Sequence, residues 1–209
     1  MKALEALNIL SDLCSSQRGL FTTAQAFAAG VNRMTISRLA KHGQIERVAH
    51  GVYRSSAAPY TREEDVYAAW LSTDPAKPAW ERHIDETGCT ASLGTAAWLF
   101  GFGELKPEPI TFSCAKRKQT SNHRWRYLKR QLKSEDILIV AGIPTTTPAR
   151  TVLDLIDYGE DLSLISSVLA DAMRQDPALD LKSKIDARGE RRGFDRGASL
   201  YDYIAGSDA

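Results

Sequence analysis

At 209 residues the chain is long enough for one large domain or two small ones, and 43% hydrophobic with 25% charged residues is ordinary for a globular protein, which excludes disorder and low complexity. No apolar run approaches the ~20 residues needed to span a bilayer. The net charge of +1 conceals segregation: +4 over residues 1–58, −5 over 59–108, +8 over 109–133, −7 over 134–180 and +1 beyond, so surfaces with different partners are expected.

In chain order, Ala3 to Cys14 has Leu4, Leu7, Ile9 or Leu10, and Leu13 on one helical face. With Glu5 and Asp12 in the same stretch, it reads as an amphipathic helix and not as a signal peptide. The stretch from Thr22 to Arg54 follows as helix, tight turn, second helix and hairpin. Ala26, Gly30 and Ile36 stand where a helix-turn-helix needs a small residue at the crossing, a glycine in the turn and a branched anchor. Val31 and Leu39 fill two further apolar places, and Asn32 can cap the second helix.

Turning Ile36, Leu39 and Ala40 inward turns Arg33, Ser37, Arg38 and Lys41 outward, with Thr35 beside them. That strip has three cations and no acid, with small polar groups between, as suits a helix entering a major groove. Gly43 ends the helix, and QIERV and VYR flank Ala49-His50-Gly51 as a hairpin wing. SSAAPY, residues 55–60, reads as a linker, so the boundary is set between a domain of residues 1–58 and one of residues 59–209.

Thr61 with Glu64 forms a capping box that opens a helix to about Ser72. Asp74 to Thr87 has no clear assignment. TASLGTAAWLFGFG is a helix from near Ser92 to Gly101, followed by four β-prone runs, ITFSCA, HRWRYLKR, ILIV and IPTTT. Thr147-Pro148 starts a helix that stops at Gly159; LSLISSVLADAMRQ is another, and DLKSKIDARG and ASLYDYIAG are shorter helical pieces. The fold class is α+β: an N-terminal winged helix-turn-helix followed by a mixed α/β domain.

Cys14, Cys89 and Cys114 are odd in number and widely separated, so buried free thiols in a reducing cytoplasm are expected. His42, His50, His83 and His123 do not join them at metal-ligand spacing, so neither metal nor cofactor is expected. The basic block holding Lys116, Arg117, Lys118, Arg124 and Arg126 is either a second nucleic-acid surface or a sheet edge guarded by cations.

Several segments together resemble the AbiEi family of antitoxins of type IV toxin–antitoxin systems: GQIERVAHGVYR, TASLGTAAWLFGFG, ITFSCA and, most clearly, AGIPTTTPARTVLDLID. The likeness covers most of residues 1–175, and the tail after Asp176 has no clear counterpart. It implies a winged helix that binds double-stranded DNA at inverted repeats upstream of its own operon. It further implies a second domain that helps repression or counters a nucleotidyltransferase toxin. On this likeness the DNA role falls on Asn32, Arg33, Thr35, Ser37, Arg38 and Lys41, with Arg47, His50 and Arg54 on the wing. Arg150 and Asp154 match the family's helix and read as a structural pair four apart.

Two other readings compete. A nuclease needs convergent carboxylates and a lysine near the attacked phosphate, and Asp180-Leu-Lys182 with Asp154 or Asp171 has those residue types. A protein-interaction module would have less reason to keep an acid-free helix face. The favoured expectation is a cytoplasmic, non-catalytic transcriptional regulator.

Overall fold

The computed structural model describes residues 3–206, and these form two compact units, the first ending at His83 and the second starting at Ile84. The fold is α+β, with a winged helix-turn-helix in the first unit and an α/β arrangement in the second.

In the first unit, α1 (Ala3–Ser15), α2 (Thr23–Ala28) and α3 (Arg33–Lys41) pack as a three-helix core. Gly30 makes the turn at φ +88°, a conformation open to a residue without Cβ. The buried face of α1 is Ala6, Leu10 and Cys14, flanked by Leu7, Ile9 and Leu13, while Leu4 lies outside it. The expected leucine stripe is therefore rotated toward Ala6 and Cys14. The wing is β2 (Ile45–Ala49) and β3 (Val52–Ser55), joined by β1 (Leu20–Thr22) in the order β1-β3-β2. Strand β1 is not legible in the sequence, three residues being too short to show periodicity.

The compact unit continues past residue 58, where the boundary was expected. Helix α4 (Glu64–Leu71) packs on β1 and β2. The Thr61–Glu64 capping box does not form: the helix begins without a side-chain cap, and the Glu64 carboxylate turns to Arg54 instead. Behind α4, Arg82 donates to the carbonyls of Trp70 at 2.7 Å, Leu71 at 2.7 Å and Asp74 at 2.6 Å, and its guanidinium lies 4.5 Å from the Trp70 ring centroid. It thereby satisfies carbonyls that a helix end leaves open. Its pKa is lowered to about 10, mainly by burial, so it stays charged at neutral pH.

The segment between α4 and Arg82 is tied to the helix-turn-helix. The side-chain amides of Gln17 and Gln25 are buried and bond to each other; Gln25 also donates to the Lys77 carbonyl at 3.1 Å, and Gln17 accepts from the Ala79 amide at 2.9 Å. Buried amides need such partners, so this strap is part of the unit's interior bonding.

The second unit holds a five-stranded sheet, β6-β5-β4-β8-β7, built from β4 (Cys89–Ala91), β5 (Ile110–Cys114), β6 (Trp125–Lys129), β7 (Ile137–Val140) and β8 (Ile143–Thr146). Pairings β4–β8 and β5–β6 are parallel, and β4–β5 and β7–β8 are antiparallel. Helix α5 (Gly94–Phe100) packs on β5 and β8 and stops at Gly101 in the left-handed conformation. Thr147 caps α6 (Pro148–Tyr158), and Gly159 ends it, as the sequence predicts. Asp161 caps α7 (Leu162–Gln175). Gly103 fits against α7 so closely that an added Cβ would meet Ser167 Oγ at 2.8 Å.

The tail has a structural role that the sequence left open. Leu181 and Ile185 of the α8 region (Lys182–Asp186), with Leu200 and Ile204 of α9 (Leu200–Gly206), are buried in one apolar cluster with α6 and α7. Each such side chain contributes about 1.5–3 kcal/mol on burial.

The cysteine expectation is half corrected. Cys14 is free and buried, and burial pushes its pKa up to about 11. Cys89 and Cys114, however, are joined in a disulfide, because β4 and β5 pair with these two residues directly opposite, Cα to Cα 4.2 Å.

Candidate nucleic-acid interface

The second helix of the motif, α3, is organised from its first residue. Asn32 Oδ1 accepts from the Thr35 amide at 2.9 Å, filling one of the donors left open at a helix start. Advancing about 100° per residue puts Arg33, Ser37, Lys41, Met34 and Arg38 within an arc of about 140°. All five are exposed, and Thr35, Ile36 and Leu39 are buried on the opposite side. Among the described residues Arg33, Arg38 and Lys41 have no acidic partner, so three cations face outward uncompensated.

Two expected contact residues are displaced by this geometry. Thr35 is only 4% exposed, because it stands about 100° from Met34 on the core side. Met34 holds the outward place instead, at 80% exposure. A strip defined by its polar groups alone leaves this residue out.

Arg54 is the second displacement. It stands opposite Glu46 in the β2–β3 register and pairs with that carboxylate and with Glu64 at 3.2 Å. The hydrogen bond it donates to Glu46 raises its pKa further, and its side chain is 13% exposed. Burial raises the Glu64 pKa, against the opposing pull of Arg54. Arg54 therefore anchors the wing to α4.

The wing tip carries the other expected residues. A register shift between Arg47 and Ala49 bulges β2, and Gly51 turns the chain at φ +73°. Arg47 folds back toward the tip, its Nε 3.3 Å from the Ala49 carbonyl and Nη2 3.0 Å from His50 Nδ1. Both residues remain exposed.

In the second unit, Lys116, Arg117, Lys118 and Arg124 lie in the connection from β5 to β6, and Arg126 on β6 itself. Lys116 and Arg117 are exposed, and Arg124 Nη2 stands 4.0 Å from Glu108 Oε1. Arg126 lies over the Tyr158 ring at 5.7 Å and donates to its hydroxyl. Strand β6 is an edge of the sheet, where cationic side chains discourage pairing with another chain. The basic block thus divides into an edge strand whose Arg126 is held within the unit and a preceding connection that is more open.

The PARTVLDL helix carries an ion-pair network. Arg150 Nε is 2.8 Å and Arg130 Nη1 2.9 Å from the buried Asp154 carboxylate, and Arg150 Nη1 is 2.7 Å from Asp136. The expected Arg150–Asp154 pair is present and is joined by two further residues.

The acidic residues that could serve a nuclease are dispersed. Asp154 is held in that network, Asp171 accepts from the Gly103 amide at 2.8 Å, and Asp180 accepts from the Lys182 amide at 3.2 Å. Lys182 itself pairs with Asp202. Among the described residues no three His, Cys, Asp or Glu side chains converge in a group that could hold a metal ion, and no helix is long and apolar enough to cross a membrane.

Comparison with known families agrees with this geometry. A family model for a transcriptional regulator, AbiEi antitoxin, matches residues 8–56, which hold the helix-turn-helix and wing. A second, for the AbiEi antitoxin C-terminal domain, matches residues 87–198. No curated protein matches the chain. With the first match on the winged helix and the second alone spanning more than half of the sequence, the chain belongs to the AbiEi antitoxin family, whose domains are those of a DNA-binding antitoxin that regulates transcription.

Proposed function

We propose that this protein is the antitoxin of a type IV toxin–antitoxin pair, that it represses its own operon from upstream inverted repeats, and that its toxin is a nucleotidyltransferase. The observation that carries the DNA half of this reading is the outer face of α3, with three unpaired cations and no acid. Such a face suits a helix lying in a major groove, where phosphates supply affinity and base edges supply specificity. Within it, Asn32, Arg33, Ser37, Arg38 and Lys41 contact DNA from α3, and Arg47 and His50 from the wing tip. Lys116 and Arg117 are candidates for a second contact with phosphate.

The second unit works on this reading by contact and without chemistry, in the cytoplasm where its DNA lies. Its acidic stretch, −7 over residues 134–180, can orient a partner macromolecule. The nuclease alternative is disfavoured by the separate commitments of Asp154, Asp171 and Asp180.

The test is binding of the full-length protein to the DNA upstream of its gene across a salt series. Affinity falls steeply with salt as cations displace condensed counterions. Arg38→Ala costs about 1–3 kcal/mol at the preferred site if its guanidinium reaches a guanine edge, whereas Thr35→Ala leaves base preference unchanged. Absence of salt-sensitive binding to that DNA refutes the regulatory reading. For the antitoxin half, Arg33→Ala/Arg38→Ala should abolish repression and still allow neutralisation of the toxin encoded beside it.

A further inference from the structure

Met34 is out of character on the surface it occupies. It is 80% exposed, the most exposed of the large apolar side chains among the described residues, and its neighbours on the outer arc of α3 are three cations and a serine. A long apolar side chain held in water there gains nothing for the fold: it takes no part in the apolar cluster formed by Ala26, Val31, Ile36 and Leu39. Its position in the helix is equally specific. Met34 is the second residue of α3, one residue past the start set by the Asn32 cap, and lies near the middle of the outward arc.

When a recognition helix lies in the major groove, residues at its N-terminal end contact base edges. Methionine brings no hydrogen-bond donor and only a weak acceptor, so it has little to offer the polar groups on those edges. What it offers is a flexible, polarizable surface that adapts to an apolar partner. The major groove displays one apolar group, the C5-methyl of thymine.

We propose that Met34 is a specificity-determining residue, its side chain packing on the methyl group of a thymine in the bound site. This rests on the DNA-binding reading of the same helix and deepens it. Arg38 and Lys41 supply charge and hydrogen bonds, which every duplex can meet in part through its phosphates. Met34 adds a contact that cytosine and a methyl-free pyrimidine cannot return. The recognised site therefore contains a thymine at a fixed place relative to the bases read by Arg38. The apolar contact also excludes water from the hydrogen bonds beside it.

The experiment uses the full-length protein and a duplex recovered by repeated selection from random sequence. Each thymidine of that duplex is replaced in turn by deoxyuridine, which deletes one methyl group and keeps every hydrogen-bonding group. Wild-type protein, Met34→Ala and Met34→Leu are titrated against the series. At one thymidine position, deoxyuridine should weaken wild-type binding about fourfold, the loss of one buried methyl. Met34→Ala should bind the parent duplex at least that much more weakly and be indifferent to deoxyuridine there, and Met34→Leu should restore the sensitivity. The exposed position means that all three proteins should melt alike. If every deoxyuridine duplex binds wild type and Met34→Ala in the same ratio as the parent, the assignment is overturned while the DNA-binding reading stands. If wild type enriches no duplex over random sequence, the DNA-binding reading itself fails, and the assignment fails with it.

Discussion

Removal of the Arg54 guanidinium separates a DNA contact from a structural anchor. The side chain is 13% exposed and lies between Glu46, 56% exposed, and Glu64, 9% exposed. In Arg54→Ala the exposed Glu46 loses little, about 0–1 kcal/mol for a surface pair. Glu64 is different, because its charge stays in a mostly buried position with no cation. Breaking a fully buried pair from one side costs about 3–5 kcal/mol, and the rim position here reduces that to about 2 kcal/mol. For a unit of this size a loss of about 2 kcal/mol lowers Tm by roughly 8–16 °C, and by about half that if both units melt together. Thermal denaturation of the full-length variant measures it.

The pH dependence gives an independent check on that variant. The Glu64 pKa is raised above its ordinary 4.5, and loss of Arg54, which pulls it down, raises it further. A carboxylate with a folded pKa above its unfolded value stabilises the fold below the unfolded value and loses that contribution as pH rises through the folded value. The Tm deficit of Arg54→Ala should therefore narrow as pH falls from neutral toward 4.5, and addition of Glu64→Gln should recover most of it at neutral pH. An unchanged Tm accompanied by weaker DNA binding would refute the reasoning and return Arg54 to the interface.

Three further outcomes are expected. Residues 1–83 expressed alone should unfold cooperatively in urea, and residues 1–58 should not, because the shorter piece lacks α4 and the Lys77 and Ala79 backbone groups that satisfy Gln25 and Gln17; equal unfolding curves would contradict this. Native protein at pH 8 should resist alkylation by iodoacetamide, take up one label at Cys14 when denatured without reductant, and take up three after reduction. Because the Cys14 pKa is raised to about 11, its contribution to stability should fade as pH climbs from 9 toward 11, and Cys14→Ala should lack that slope.

The sequence by itself determined what depends on neighbours a few residues apart. The Asn32 cap, the Gly30 turn, the Thr147 cap with Pro148 behind it and the left-handed Gly159 stop are each written within one helical turn, and each is present. The inward anchors Val31, Ile36 and Leu39 were legible for the same reason, since a helix of known start repeats at a fixed angle. That angle left residues at the margin of the arc undecided. Only the packing of α3 against its core showed that Thr35, just beyond that margin, goes in. The tertiary structure also decided every partnership between elements distant along the chain. Arg54 found Glu64 because α4 packs beside the wing, Cys89 met Cys114 through the β4–β5 register, and the tail's Leu181, Ile185, Leu200 and Ile204 closed the apolar cluster of α6 and α7. No local spacing encodes such pairings, because which surfaces meet is set by how the whole chain buries its apolar area, and that is a property of the topology.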